Sequence, residues 1–162
     1  MKYHNITKDD MLNGDGIRVV LWVSGCEHHC PECQNPITWD PNVGIEFDDS
    51  AKQEIFAELE KDYVSGITLS GGDPMHPCNR FEIFKLVKEI KEKFPNKTIW
   101  MYTGYKFEDI RIFQVIHDID VLVDGRYEKD KRDVNLHWKG SSNQRVIDTK
   151  ETFRIGEIVL HD

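Results

Sequence analysis

Ile17-Arg-Val-Val-Leu-Trp-Val23, followed at once by Ser24-Gly-Cys26-Glu-His-His-Cys30-Pro-Glu-Cys33, is the stretch from which the rest of the chain is read. Its first seven residues are almost continuous in apolar and β-branched side chains, the pattern of a strand buried on both faces. Three cysteines, Cys26, Cys30 and Cys33, then fall inside eight residues. Three thiolates on one short loop can hold three irons of a cubic 4Fe–4S cluster, where full protein ligation takes four cysteines. The iron without a cysteine is then open to a small molecule.

Outward from that strand, strand and helix signals alternate, with no repeat and no linker. Ser50-Ala-Lys-Gln53 reads as a capping box, with Ile55, Leu59 and Tyr63 at helical spacing behind it. Gly66–Ser70 reads as a short strand running into Gly71-Gly72-Asp73-Pro74. Asn79-Arg-Phe-Glu82 is a second cap, and the helix behind it places Ile83, Val87, Ile90 and Phe94 on one face. Thr98–Tyr102 and Ile119–Val123 are further strands, separated by a helix over Phe107–Ile116. Arg145–Asp148 and Ile155–Leu160 are weaker strand candidates. Strands alternating with helices imply βαβ units and a parallel sheet. Four clear strands and two weaker ones are fewer than a closed eight-fold barrel needs, so the expected class is α/β, an open, partial barrel.

A chain of 162 residues is expected to form a single domain over residues 1–162, large enough to bury about 70% of its unfolded surface. Net charge is −8, with Lys and Arg scattered, which argues against nucleic acid and against an anionic membrane surface as partners. The apolar runs fall far short of the ~20 residues that span a bilayer. Met1–Thr7 has no apolar signal-peptide core, so a cytoplasmic location is expected. Thiols stay reduced there, and clustered cysteines read as metal-binding or catalytic.

The informative loops all follow strands. The cysteines follow the first, Gly71-Gly72-Asp73-Pro74 the second, Thr103-Gly104 the third and Asp124-Gly125 the fourth. Parallel α/β folds bind ligands at the carboxyl ends of their strands, so four unremarkable loops are expected to converge on one site.

Cys-x3-Cys-x2-Cys after a first strand, with a Gly-Gly-acidic-Pro turn after the second, resembles the radical S-adenosylmethionine (SAM) enzymes. Within them the chain is similar to the activating proteins of anaerobic (class III) ribonucleoside-triphosphate reductases. The likeness is carried by Asn13–Gly16, Val23–Cys26, Cys33–Asn35, Ser70–Pro74, Trp100 with Thr103–Tyr105, Val123–Gly125 and Gly140–Gln144. The resemblance implies a partial β/α barrel of the radical SAM type, with Cys26, Cys30 and Cys33 ligating one 4Fe–4S cluster. It implies that SAM chelates the open iron, with Gly71, Gly72, Asp73 and Thr103 around it and the backbone of Glu32, Cys33 and Gln34 along the adenine. No protein side chain beyond cluster and SAM is implied as catalytic. One electron passed to the sulfonium would cleave a C–S bond, and the 5′-deoxyadenosyl radical would take a hydrogen atom from a glycine of the partner. The implied partners are the large catalytic subunit of the reductase and an electron donor such as reduced flavodoxin. Three positions depart from the usual pattern: Glu32 and Gln34 flank the third cysteine where aromatics are common, and Asp73 stands where Glu is commoner.

Other readings of the same residues exist. The cysteine trio is compatible with structural zinc completed by Cys78, His28 or His29, although zinc sites usually draw on paired Cys elements that this chain lacks. Taken singly, Gly71–Pro74 and Asp124-Gly125 read as ordinary turns. His28 and His29 read as exposed loop histidines, Cys78 as a plain thiol, and Trp22 and Trp100 as core packing.

Overall fold

The chain, described over residues 1–161 in a computed structural model, runs β1 (Lys2–Asp10), β2 (Ile17–Val23), β3 (Ile45–Glu46), α1 (Asp49–Leu59), β4 (Val64–Gly71), α2 (Arg80–Lys93), β5 (Thr98–Tyr102), α3 (Phe107–Ile110), α4 (Gln114–Asp118), β6 (Val121–Asp124), β7 (Arg145–Asp148) and α5 (Thr149–Ile155). The strands form one open sheet in the order β3-β1-β2-β4-β5-β6-β7. Its centre is parallel, with β2 on β4, β4 on β5 and β5 on β6; β1 and β3 extend one side and β7 the other, all antiparallel. The α/β class holds, and the four clear strands of the sequence are the four parallel ones.

Alternation along the strands divides the side chains between two faces. Val19, Leu21 and Val23 of β2, Ile67 and Leu69 of β4, and Ile99 and Met101 of β5 pack with Ile55 and Leu59 of α1 and with Ile83, Val87 and Ile90 of α2. The intervening residues face the other way. There Trp100, Val121, Val123 and Val146 form a second cluster, with Tyr102 and Trp138 against it. Two loops cover this second face. The Thr68 hydroxyl donates to the Asn13 carbonyl (2.6 Å) and the Tyr102 hydroxyl to the Trp138 carbonyl (2.7 Å).

Several local expectations are corrected. Helix α1 is capped by Asp48, whose carboxylate accepts from the Ala51 amide at 2.9 Å, so the helix starts ahead of Ser50 and Tyr63 lies exposed beyond its end. Asn79 precedes α2 but makes no cap; its amide is used elsewhere, as described below. The single helix expected over Phe107–Ile116 is two, α3 and α4. Val115 and Ile116 are out of the register set by Phe107 and Ile110, and the chain breaks between them to bury all four. Ile155–Leu160 is not a strand: α5 ends at Ile155, and only Leu160 bridges to Ile147. Strands β1 and β3 carry no sequence signal, because β1 is bulged and mostly polar and β3 has two residues.

At the β7 edge, Arg145 donates to both carboxylate oxygens of Glu108 (3.0 and 2.8 Å) and to Asp124 (3.0 Å). This pairing lowers the Glu108 carboxyl from its ordinary 4.5 to about 2. A depressed carboxylate contributes stability that is present above its unfolded pKa and is lost as pH falls through the folded value. Glu108 is more than half exposed, so the contribution is at most about 1 kcal/mol. Glu108→Gln should therefore lower the thermal midpoint slightly at neutral pH, and the difference from the parent should shrink as pH falls from about 5 toward 2.

Candidate functional site

The segment after β2 leaves the sheet as a loop held from both sides. The amides of Gly25 and Cys26 donate to the carbonyls of Thr38 and Trp39 (2.7 and 3.0 Å), and the Cys33 amide donates to the Cys30 carbonyl (3.1 Å). His29 and Glu32 take left-handed backbone conformations, at φ 48° and 57°. Such conformations are uncommon for residues other than glycine and collect at functional sites. The result folds Cys26, Cys30 and Cys33 back over the carboxyl ends of the parallel strands, all three half-buried.

These cysteines line a cavity of about 440 Å³. Gln34, Gly71, Gly72, Asp73, Thr103, Gly104 and Gly125 line it too, so all four strand-end loops converge as the topology requires. Glu32 is exposed and does not border it. Cys78 is also exposed and away from the cavity, and so completes no ligand set with the other three. Asn13, Gly140 and Gln144 join from segments that sequence similarity had marked without assigning a role. Trp39 and Tyr127 also border the cavity, and nothing in the sequence singled them out.

Gly71 and Gly72 are required by the chain's own packing. A Cβ on Gly71, at φ 101°, would stand 2.4 Å from the Val23 amide nitrogen, and one on Gly72 would stand 2.6 Å from the Gly25 carbonyl. Both loops thus approach closer than any side chain allows. Their contact is sealed by hydrogen bonds from Gly72 to the Val23 carbonyl (2.8 Å) and from Asp73 to the Gly25 carbonyl (2.7 Å). The Asn79 side-chain amide, missing from its helix cap, donates here to the carbonyls of Ser24 (2.7 Å) and Asp73 (3.0 Å).

His28 is the clearest departure from the sequence reading. It is buried, at 9% exposure, with Nε2 2.7 Å from the Asp73 carboxylate. Its Nδ1 accepts from the Arg126 guanidinium at 3.2 Å, which assigns the ring proton to Nε2 and a neutral imidazole. His29 is exposed as expected, stacked 4.6 Å from Trp39. Tyr102 sits at a packed strand end, and Trp100 is core; Trp22 is half-buried, donates to Thr7 and borders the cavity.

The chemistry of the cysteines fits metal ligation. Burial pushes the Cys26 thiol up to about 11, helped by the charge of Asp73, and raises Cys30 as well. Neither shift pre-ionises a nucleophilic thiolate. Thiols of this kind release their protons to a metal. Three of them on one loop, with the facing wall made of glycine backbone, fit a soft iron–sulfur cluster with one uncovered corner.

A second, larger groove of about 1470 Å³ runs beside the cavity and shares His28, Cys30, Gly104, Gly125 and Tyr127 with it. Its outer walls carry charges of both signs, among them Glu27, Lys106, Arg126 and Asp130.

Comparison with known proteins gives a concordant result. A family model described as a 4Fe-4S single cluster domain matches residues 12–147. The anaerobic ribonucleoside-triphosphate reductase-activating protein of Enterobacteria phage T4 is 47% identical over 146 residues, covering 90% of this chain and 93% of the relative. The protein of the same name from Escherichia coli K12 is 45% identical over 150 residues, covering 90% and 97%. That of Haemophilus influenzae is 40% identical with the same coverage as the E. coli protein.

Proposed function

The chain belongs to the family of anaerobic ribonucleoside-triphosphate reductase-activating proteins, and from that premise we propose that it is a radical SAM activase that installs a glycyl radical on such a reductase. In this reading residues 1–162 are one domain and the open sheet is a partial β/α barrel of the radical SAM type. Cys26, Cys30 and Cys33 would hold one 4Fe–4S cluster. Gly71, Gly72, Asp73 and Thr103 would border SAM, with the Glu32–Gln34 backbone on its adenine side. When bound, the cluster supplies the electron that cleaves SAM and yields the radical that takes hydrogen from the partner's glycine.

The chain's own residues prepare the site for this. The three thiols share one loop, so they reach one cluster together, and Gly71 and Gly72 bring the strand-end loop close enough to the cysteine loop for both to line one cavity. The larger groove opens onto Cys30 from the side, which suits a backbone loop of a large protein substrate better than a small molecule. The large catalytic subunit of the reductase is the proposed partner. Reduced flavodoxin is the proposed type of electron donor and the cytoplasm the proposed location. Among the described residues no helix is long and apolar enough to cross a membrane.

The observation that carries this reading is the convergence of the cysteine loop and the Gly71-Gly72 loop on one cavity. Electron paramagnetic resonance of the anaerobically reconstituted, reduced protein tests it. A reduced-cluster signal should change shape when SAM is added, and adding reductase should produce a glycyl-radical doublet. Stoichiometric zinc without sulfide would overturn the proposal.

A further inference from the structure

Asp73 is 1% exposed, and its carboxylate is saturated from within. One oxygen accepts from the Met75 amide (2.9 Å) and the Thr103 hydroxyl (2.8 Å); the other accepts from the Gly104 amide (3.0 Å) and lies 2.7 Å from His28 Nε2. A carboxylate offers about four acceptor positions, and four protein donors fill them. The backbone is equally engaged, its amide on Gly25 and its carbonyl on Asn79 and His76. Asp73 therefore has no acceptor left for a ligand.

The donors come from different loops. His28 lies between the cysteines, Met75 belongs to the Gly-Gly turn, and Thr103 and Gly104 leave β5. Arg126, beyond β6, reaches the far side of the His28 ring. One histidine–carboxylate contact thus joins all four strand-end loops. A separate observation supports a fixed place for the ring. A Cβ on Gly104 would stand 2.4 Å from His28 Cδ2, although Gly104 has no left-handed backbone to explain a glycine. Glycine at 104 is the space the imidazole occupies. Sγ of Cys26 and the facing atoms of His28 and Asp73 all lie within 4.8 Å of one another, so the linkage abuts the first cysteine directly.

We propose that His28 and Asp73 are positioning residues, a buried clamp that sets the cysteine loop against the Gly-Gly loop. The clamp acts on the site through the loops it joins, and the Asp73 carboxylate, although it borders the cavity, offers no free acceptor to a ligand. This deepens the cluster reading and rests on it, so the test includes an arm that needs no cluster.

His28→Leu, His28→Gln and Gly104→Ala would be compared with the parent protein. In the metal-free proteins, iodoacetamide labelling of Cys26 is followed by mass spectrometry, with exposed Cys78 as internal reference. In the reconstituted proteins, iron loss to a ferrous chelator and the change of the resonance spectrum on adding SAM are followed. His28→Leu and Gly104→Ala should speed Cys26 labelling relative to Cys78, and should speed iron loss about tenfold to a hundredfold, as expected when a group supporting the ligands is removed. His28→Gln, which keeps a donor near the Nε2 position, should restore both and keep the SAM-induced spectral change. Parent-like labelling and iron retention in His28→Leu would overturn the clamp. Should that variant fail to fold, His28→Asn, too short to reach Asp73, decides by the same readouts. If the parent itself holds no cluster, the cluster reading fails and the labelling arm alone judges the clamp.

Discussion

Alanine at Cys26, Cys30 or Cys33, one at a time, is expected to abolish SAM cleavage, while Cys78→Ala retains most of the parent activity. Two cysteines leave a second iron corner without a protein ligand, and a cluster so held is neither stable nor open at one defined site. The effect should thus be all-or-none rather than graded. Cys78 serves as the control because it is exposed and does not line the cavity. The measurement is 5′-deoxyadenosine formed under strong chemical reductant, alongside iron and sulfide content. The Cys30 variant is the most discriminating, since Cys30 borders both the cavity and the larger groove. Retained cleavage there would mean that the cluster is held by a different ligand set. Cleavage lost in the Cys78 variant would mean that the exposed thiol takes part after all.

The parallel core was legible because β2, β4, β5 and β6 are short apolar runs bounded by turn residues. Their carboxyl ends could be located without knowing any contact, and the convergence of the loops followed from topology. Strand β1 was not legible: Lys2–Asp10 buries only Tyr3 and Ile6 fully, and its register shifts twice against β2. Neither alternation nor an apolar run survives such bulging. His28 was misread for a different reason. A histidine between exposed-looking residues carries no local mark of burial, and its partner Asp73 lies 45 residues away. The role of Gly104 was hidden for the same cause, because only the folded chain brings the imidazole over it. Gly71 and Gly72 were expected around SAM, whereas the close approach that the structure shows at them is that of the cysteine loop's own backbone.

Arg18 was the least legible residue of all. It sits inside the run Ile17–Val23 that reads as continuous and apolar, yet it is fully buried. Its guanidinium makes five hydrogen bonds, to the Thr68 and Thr98 hydroxyls and to the carbonyls of Asp15, Ile67 and Thr98, at 2.8 to 2.9 Å. None of these partners is a carboxylate, and burial lowers its pKa to about 10. Two effects therefore oppose each other on replacing it with methionine. Removing a desolvated charge is favourable, and a well-packed apolar substitute for a buried ion can stabilise by about 1–4 kcal/mol. Against this stand three carbonyls and two hydroxyls that lose a donor. Each buried acceptor left empty costs about 1–3 kcal/mol, and the carbonyl of fully buried Ile67 is among them. The hydroxyls can turn to other partners, but the carbonyls are fixed by β4, β5 and the loop before β2. The losses outweigh the gain, and Arg18→Met is expected to destabilise the protein by about 3 kcal/mol. For a chain of this length that corresponds to a thermal midpoint lower by about 6–12 °C. The consequence should reach the site, because the Thr68 hydroxyl that accepts from Arg18 donates to the carbonyl of Asn13, and Asn13 lines the cavity. A thermal midpoint equal to or above that of the parent would show that desolvation of the guanidinium dominates. The amino ends of β2, β4 and β5 would then be held by their ladders alone.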